Sequence, residues 1–203
     1  GSAKGAADAL SFVRSESQRL GLDLATAADQ FGKLTAASKG TALEGKATRD
    51  IFTSVAQAAT ALGLSAEQTG GSLLAIQQII SKGTVSAEEL RGQLGERLPG
   101  AFQIAARAIG VTTQELDKLL RTGSVTAEQL LPALSRELDK TFGSQSEQAA
   151  KGLTAQMNRM NTAIFDLKIA VGESGLINFL SSGIELATKL ANALTGVFGG
   201  QKL

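Results

Sequence analysis

Lys82-Gly-Thr-Val-Ser-Ala-Glu-Glu-Leu90 and Thr122-Gly-Ser-Val-Thr-Ala-Glu-Gln-Leu130 are two versions of one nine-residue phrase, forty residues apart. Each reads as the end of one helix, a glycine turn, and a Ser or Thr followed three residues later by Glu or Gln. That last arrangement is a capping box, in which side chain and backbone satisfy each other's orphan donors at a helix start. Ser65-Ala-Glu-Gln68 and Thr112-Thr-Gln-Glu115 repeat it, so Ser65, Ser86, Thr112 and Thr126 are expected as helix caps. Each follows a Leu or Val that can act as a hydrophobic staple. Two copies are too few for a solenoid, which needs at least three to bury a continuous core. The phrase therefore describes two similar corners in one helical domain.

Apolar residues outside the corners recur at three and four: Leu10, Val13, Ser17, Leu20; Ile51, Val55, Ala58, Leu62; Leu73, Ile76, Ile80; Leu98, Phe102, Ala105, Ile109. No alternating strand pattern competes, and Ala, Leu, Gln and Glu favour helices. Pro99 is expected in the first turn of a helix through Ile109, and Pro132 to start or kink one after a short Thr126 to Leu131 turn. Gly83, Gly110 and Gly123 punctuate helix ends. The expected fold is all-α: a compact multi-helix domain of short capped helices over 3–142, then longer amphipathic, heptad-patterned helices over 143–203. Residues 1–2, Gly-Ser without methionine, read as a tag-cleavage scar on a fragment. No secretory signal is visible near that end, although a fragment boundary would remove one.

The 203 residues can bury a full core, and 43% hydrophobic against 19% charged residues places the chain outside the disordered class. Twenty Lys+Arg against 19 Asp+Glu leave +1, too little field to hold a duplex or an anionic membrane by charge alone, so no specific nucleic acid is expected. With no His and no Cys, Ser-His-Asp and Cys-His nucleophiles, zinc fingers and disulfides are excluded. Eight Phe without Trp or Tyr supply few stacking platforms.

Three stretches imitate chemistry. Gly40-Thr-Ala-Leu-Glu-Gly-Lys46 has the spacing of a phosphate loop, but Ala47 lacks the metal-ligating hydroxyl and no strand precedes it. Gly92, Gly95 and Gly100 follow a capped helix rather than a strand, which points to close helix packing instead of a nucleotide cradle. Glu88, Glu89 and Glu96 with Arg91 and Arg97 read as a solvated face of caps and ion pairs. No catalytic, cofactor-binding or metal-ligating residue is expected.

Gly83-Thr-Val-Ser-Ala-Glu-Glu-Leu-Arg-Gly-Gln-Leu-Gly-Glu-Arg-Leu-Pro-Gly-Ala-Phe102, with Ala105-Ala-Arg-Ala-Ile-Gly-Val-Thr112 and Gly123-Ser-Val-Thr-Ala-Glu-Gln-Leu130, resembles the N-terminal domain of tail tape measure proteins of long-tailed bacteriophages and prophages. The resemblance is dense over 64–142 and extends back to about 30 and forward to 172. It implies a non-enzymatic piece of a much longer protein that lies in several copies in the lumen of the virion tail tube, after assembly in the host cytoplasm. Such a protein templates tube polymerisation, sets tail length and leaves ahead of the genome. The partners implied are other copies of the tape measure protein, tail assembly chaperones, tube or tip proteins and, in a membrane-active alternative, the host membrane.

The C-terminal part carries a heptad seam, Leu153, Met157, Met160, Ile164, Leu167 and Val171. Beyond Gly172 and Gly175, Ile177, Leu180, Ile184, Ala187, Ala191, Leu194 and Phe198 form a second seam, with Leu176, Phe179, Leu186, Leu190 and Val197 adjacent. A helix apolar over so wide an arc needs a partner. Three readings compete: packing back on the domain's own core, a stem joining copies, or insertion of 176–198 into a membrane after opening at a Gly172/Gly175 hinge. Glu185 and Lys189 leave no uncharged stretch long enough for an independent span.

Overall fold

Side-chain caps at Asp23, Ser65, Thr112 and Thr126 start four helices of the computed structural model. It describes residues 3–167, 169, 170, 181, 184, 185 and 188. The elements are α1 (Ala3–Leu20), α2 (Leu24–Ser38), α3 (Lys46–Ala61), α4 (Ala66–Lys82), a π-helical segment (Glu88–Leu94) running into the short α5 (Gly95–Arg97), α6 (Ala101–Ala108), α7 (Thr113–Arg121) and α8 (Ala127–Ala149). Among the described residues there is no strand, and the fold is all-α. Contacts divide the chain into two units, Gly1–Arg159 and Met160–Leu203. α8 runs unbroken across residue 142, to Ala149.

In the first unit α3 lies along α8, α2 against α4, and α6 against α8. α3 buries Ile51, Phe52, Val55, Ala56, Ala58 and Ala59, which makes it the central helix. Phe12, Phe31 and Phe52 form a ring cluster with centroids 5.0–5.9 Å apart, tying α1, α2 and α3 together. Val13 and Leu20 are buried as the spacing predicts, but Leu10 is 51% exposed, so the apolar stripe of α1 starts one turn later.

Both prolines depart from expectation. Pro99 precedes its helix: the Ala101 N–H donates to the Leu98 carbonyl at 3.1 Å, and Gly100 has φ 83° and ψ −1°. Pro99-Gly100 is thus the centre of a type II turn, for which glycine supplies the positive φ. Pro132 lies inside α8 rather than at its start, and the helix begins at Ala127 behind the Thr126 cap. A proline there removes one ladder bond in the second turn while the rest of the long, well-buried helix continues.

Candidate association surface

Three of the four expected caps form full capping boxes. Ser65 Oγ accepts from the Gln68 N–H at 3.1 Å, Thr112 Oγ1 from the Glu115 N–H at 3.2 Å, and Thr126 Oγ1 from the Gln129 N–H at 3.2 Å, each with the reciprocal bond. Thr112 bonds through both its N–H and its hydroxyl to Glu115, which holds that carboxyl below its usual range. Ser86 behaves differently. Its hydroxyl donates to the Glu89 carboxylate, which also accepts from Lys82, and no side-chain cap bond forms at that helix start.

Glu89 is fully buried, so the expected solvated acidic face is corrected at this residue. Burial pushes its carboxyl up, but the bonds from Lys82 and Ser86 outweigh burial and hold it below the usual range. Lys82 is raised in turn, chiefly by that same bond. Arg91 pairs with Asp117 at 3.1 Å and stacks over Phe102 at 4.2 Å from its centroid. Arg97 reaches the Gln93 carbonyl.

The two repeated corners are partners in space. The Val85 N–H donates to the Val125 carbonyl and the Ala127 N–H to the Gly83 carbonyl, both at 2.9 Å, around an isolated antiparallel bridge between Thr84 and Thr126. Val85 and Val125, equivalent residues of the repeat, flank that bridge and are both buried. The two copies of the phrase therefore clasp each other through backbone bonds.

The phosphate-loop imitation is filled by the chain's own carboxylates. The Gly40 N–H donates to Glu44 at 2.8 Å, the Ala42 N–H donates to Glu128 at 2.9 Å, and Lys46 donates to Asp50 at 2.6 Å. In the Gly92–Gly100 run, a Cβ at Gly92 would meet open space, so helix packing does not require that glycine. A Cβ at Gly95 would press on the Leu90 carbonyl at 3.3 Å, and one at Gly71 of α4 would collide with the Arg97 side chain. Among the described residues no carboxylate cluster could hold a metal ion, and no helix is long and apolar enough to cross a membrane.

The end of the first unit is anchored on the C-terminus of α1. Residues 153–159 are helical, and Ala155 is buried against Gly21, where it occupies the space a Cβ would take and where φ is 70°. Asn158 donates to the Gly21 carbonyl at 2.8 Å. Arg159 donates to the carbonyls of Gln18, Arg19 and Ala150 at 2.7–3.1 Å, a cationic cap on the exposed carbonyls of α1. A cavity of about 280 Å³ lies beside this anchor, lined by Leu20, Leu22, Leu62, Leu64, Leu73 and Ala155 among others.

The seam residues are not part of that anchor. Leu153 is 77% exposed and Met157 is half exposed, so neither packs into the core of the first unit. Within the second unit, 160–167 and 169–170 are helical, Met160, Ile164 and Ile184 are exposed, and Leu167 is half-buried. Val171, Ile177, Leu180, Leu194 and Phe198, with the glycine hinge and the rest of the second seam apart from Ile184, lie outside the described residues. Sequence reading missed two exposed apolar side chains, Phe165 and Ile169, which stand four apart off the seam. It missed Asn158 and Arg159 as anchors too, because their acceptors are backbone carbonyls far away in the chain, which leave no mark in a local pattern.

A family model described as tape measure protein matches residues 1–173. A "Probable tape measure protein" of Salmonella phage Felix O1 (isolate Felix O1-VT1) is 32% identical over 183 residues, covering 90% of this chain and 24% of that protein. The chain therefore spans about a quarter of the length of this curated relative. No solved structure matches. On the strength of that family model, which covers well over half of an all-helical chain, the chain belongs to the tape measure protein family.

Proposed function

We propose that this chain is a structural assembly module of a phage tail tape measure protein, acting in tail tube assembly and length determination and, within the whole protein, in genome ejection. The family is structural rather than enzymatic, and its place is the phage tail. Our reading puts the module in the tube lumen of the virion and, during assembly, in the host cytoplasm. Its partners are other copies of the tape measure protein, tail assembly chaperones, and tube or tip subunits.

The observation that supports an organising rather than a measuring role is the folding of the first unit. A ruler gains about 1.5 Å per residue in a continuous helix, so 203 residues would span roughly 300 Å. Here the helices end at glycines with positive φ, at Gly21, Gly40, Gly63, Gly83, Gly110 and Gly123, and pack side by side. Length per residue is lost to packing. In-frame deletions within 64–142 are expected to abolish tail assembly. Normally assembled tails shortened in proportion to the residues removed would refute the assignment.

The apolar residues from Leu153 onward are, in this reading, an association face for other copies. A membrane-active role of the 176–198 segment is the alternative. It requires flotation with vesicles that is lost when 173–203 are removed, and flotation failing at both acidic and neutral pH excludes it.

A further inference from the structure

We infer that the cleft between α3 and α8 receives the carboxamide of an asparagine or glutamine side chain presented by a partner protein, with Gln57 as the residue that recognises it. The cleft lies within the first unit and uses no residue of the apolar seam.

A polar side chain among the buried residues of α3 must find a partner or bear the cost of its lost water. The hydroxyls here do so: Ser54 Oγ donates to the Ile51 carbonyl and Ser135 Oγ, from α8, to the Asp50 carbonyl, both at 3.0 Å. Gln57 does not. It is 8% exposed, its Oε1 has no partner, and among the described residues its amide makes no hydrogen bond. Gln30 also leaves its Oε1 free, but it spends its Nε2 on the Asp29 carboxylate. Gln57 lines a cleft of about 530 Å³ between the two helices, with Ser54 and Ser135 in its walls. A buried, unpaired amide facing such a cleft needs an explanation, and a ligand that completes it supplies one.

The lining says what fits. Both serines have given their protons to backbone carbonyls, so they offer a ligand lone pairs only, whereas Gln57 offers an acceptor and a donor. The exposed charges around the cleft cancel. Lys46 pairs with Asp50 at 2.6 Å, and Arg136 stands one turn before Asp139 on α8, neither of them in an ion pair among the described residues. An ammonium or a carboxylate therefore gains nothing from the local field. A neutral group that donates and accepts at once completes Gln57, and a carboxamide does so with two bonds, giving an N–H to Oε1 and accepting from Nε2. A free small amide held by two neutral bonds would bind weakly, while a side chain on a partner adds its neighbours, for which Arg136 and Asp139 supply one donor and one acceptor.

The test uses the full chain, labelled with nitrogen-15 in its glutamine side chains, and four probes of identical backbone: the N-acetyl methylamides of glutamine, methionine, lysine and glutamate. The Gln57 signal is the one that Gln57→Met removes. Capped glutamine is expected to shift that signal saturably, with a midpoint on the order of 100 mM for so small a ligand, and the other three to leave it in place. Gln57→Met replaces an unpaired amide by an apolar group of similar size, so its Tm is expected to equal or exceed that of the parent. A shift produced by lysine or glutamate overturns the neutral ligand, and equal shifts from all four assign the contact to peptide backbone instead of a side chain. No saturable shift with any probe means that water alone satisfies the amide, and a lower Tm in Gln57→Met means that the amide already has its partner in the free chain. Each of these outcomes overturns the inference.

Discussion

Glu89 shows how a single residue is fixed by what surrounds it. Its carboxylate is shielded from water yet bonded by Lys82 and Ser86, and those bonds keep it ionised against the cost of burial. Removing the cation leaves a buried charge with half its partners. Lys82→Met is expected to lower stability in urea titrations at neutral pH. Because the folded carboxyl titrates below its unfolded value, its contribution is present above the ordinary carboxylate range and is lost as pH falls through the lower folded value. Glu89→Gln should therefore flatten the acid limb of the stability curve, and an acid limb unchanged from the parent would remove this assignment. Lys82 acts in the opposite sense: its share is complete below the ordinary lysine range and disappears as pH rises through the raised folded value.

Gly21 is the second residue whose identity follows from contact. It combines a positive φ with direct apposition to Ala155. Gly110 has an equivalent φ of 72° but open space where a Cβ would stand. Gly110→Ala should carry only the left-handed backbone cost of about 1–2 kcal/mol. Gly21→Ala should add an overpacking cost of about 1–3 kcal/mol, because backbone of the anchored segment has to move. Equal losses in the two variants, measured by chemical denaturation, would show that the anchor does not press on Gly21.

At the scale of elements, the two corners make a natural comparison, since one phrase serves two chemical ends. Thr126 caps α8 through a backbone donor, so Thr126→Ala is expected to cost about 0.5–2 kcal/mol and to add independently to changes at Glu89. Ser86 bonds the Glu89 carboxylate instead, so the effects of Ser86→Ala and Glu89→Gln should be strongly non-additive in a double-mutant cycle. Additivity there would place the Ser86 hydroxyl elsewhere. The helix ends at Ser65, Thr112 and Thr126 were legible in sequence because a capping box is closed within four residues. The π-helical turn of Glu88–Leu94 was not, since it depends on how Leu90 and Leu94 reach the core after Glu89 is pinned to Lys82.

At the scale of the molecule, the first unit holds its own core, from the phenylalanine cluster to α8 and the Arg159 cap. A chain ending at Arg159 is therefore expected to unfold in one cooperative transition, with a Tm within about 5 °C of the full chain. Ending it at Lys151 removes Ala155, Asn158 and Arg159 and exposes the α1 carbonyls, and a lower Tm should follow. If the two truncations melt alike, the anchor contributes nothing to the unit. The exposed apolar side chains were legible as a seam, because helical periodicity is local.

The amino-acid sequence by itself determined the all-α class, the capped helix starts and the absence of thiol or imidazole chemistry, each set by residues within about one helical turn of one another or by composition. Tertiary structure alone decided that the repeated corners clasp each other through Val85 and Val125, that Glu89 is buried, and that Pro132 sits within a helix. The reason is range: caps and turns are closed by neighbours in sequence, whereas burial and pairing depend on segments brought together from forty or more residues away, whose positions no local pattern encodes.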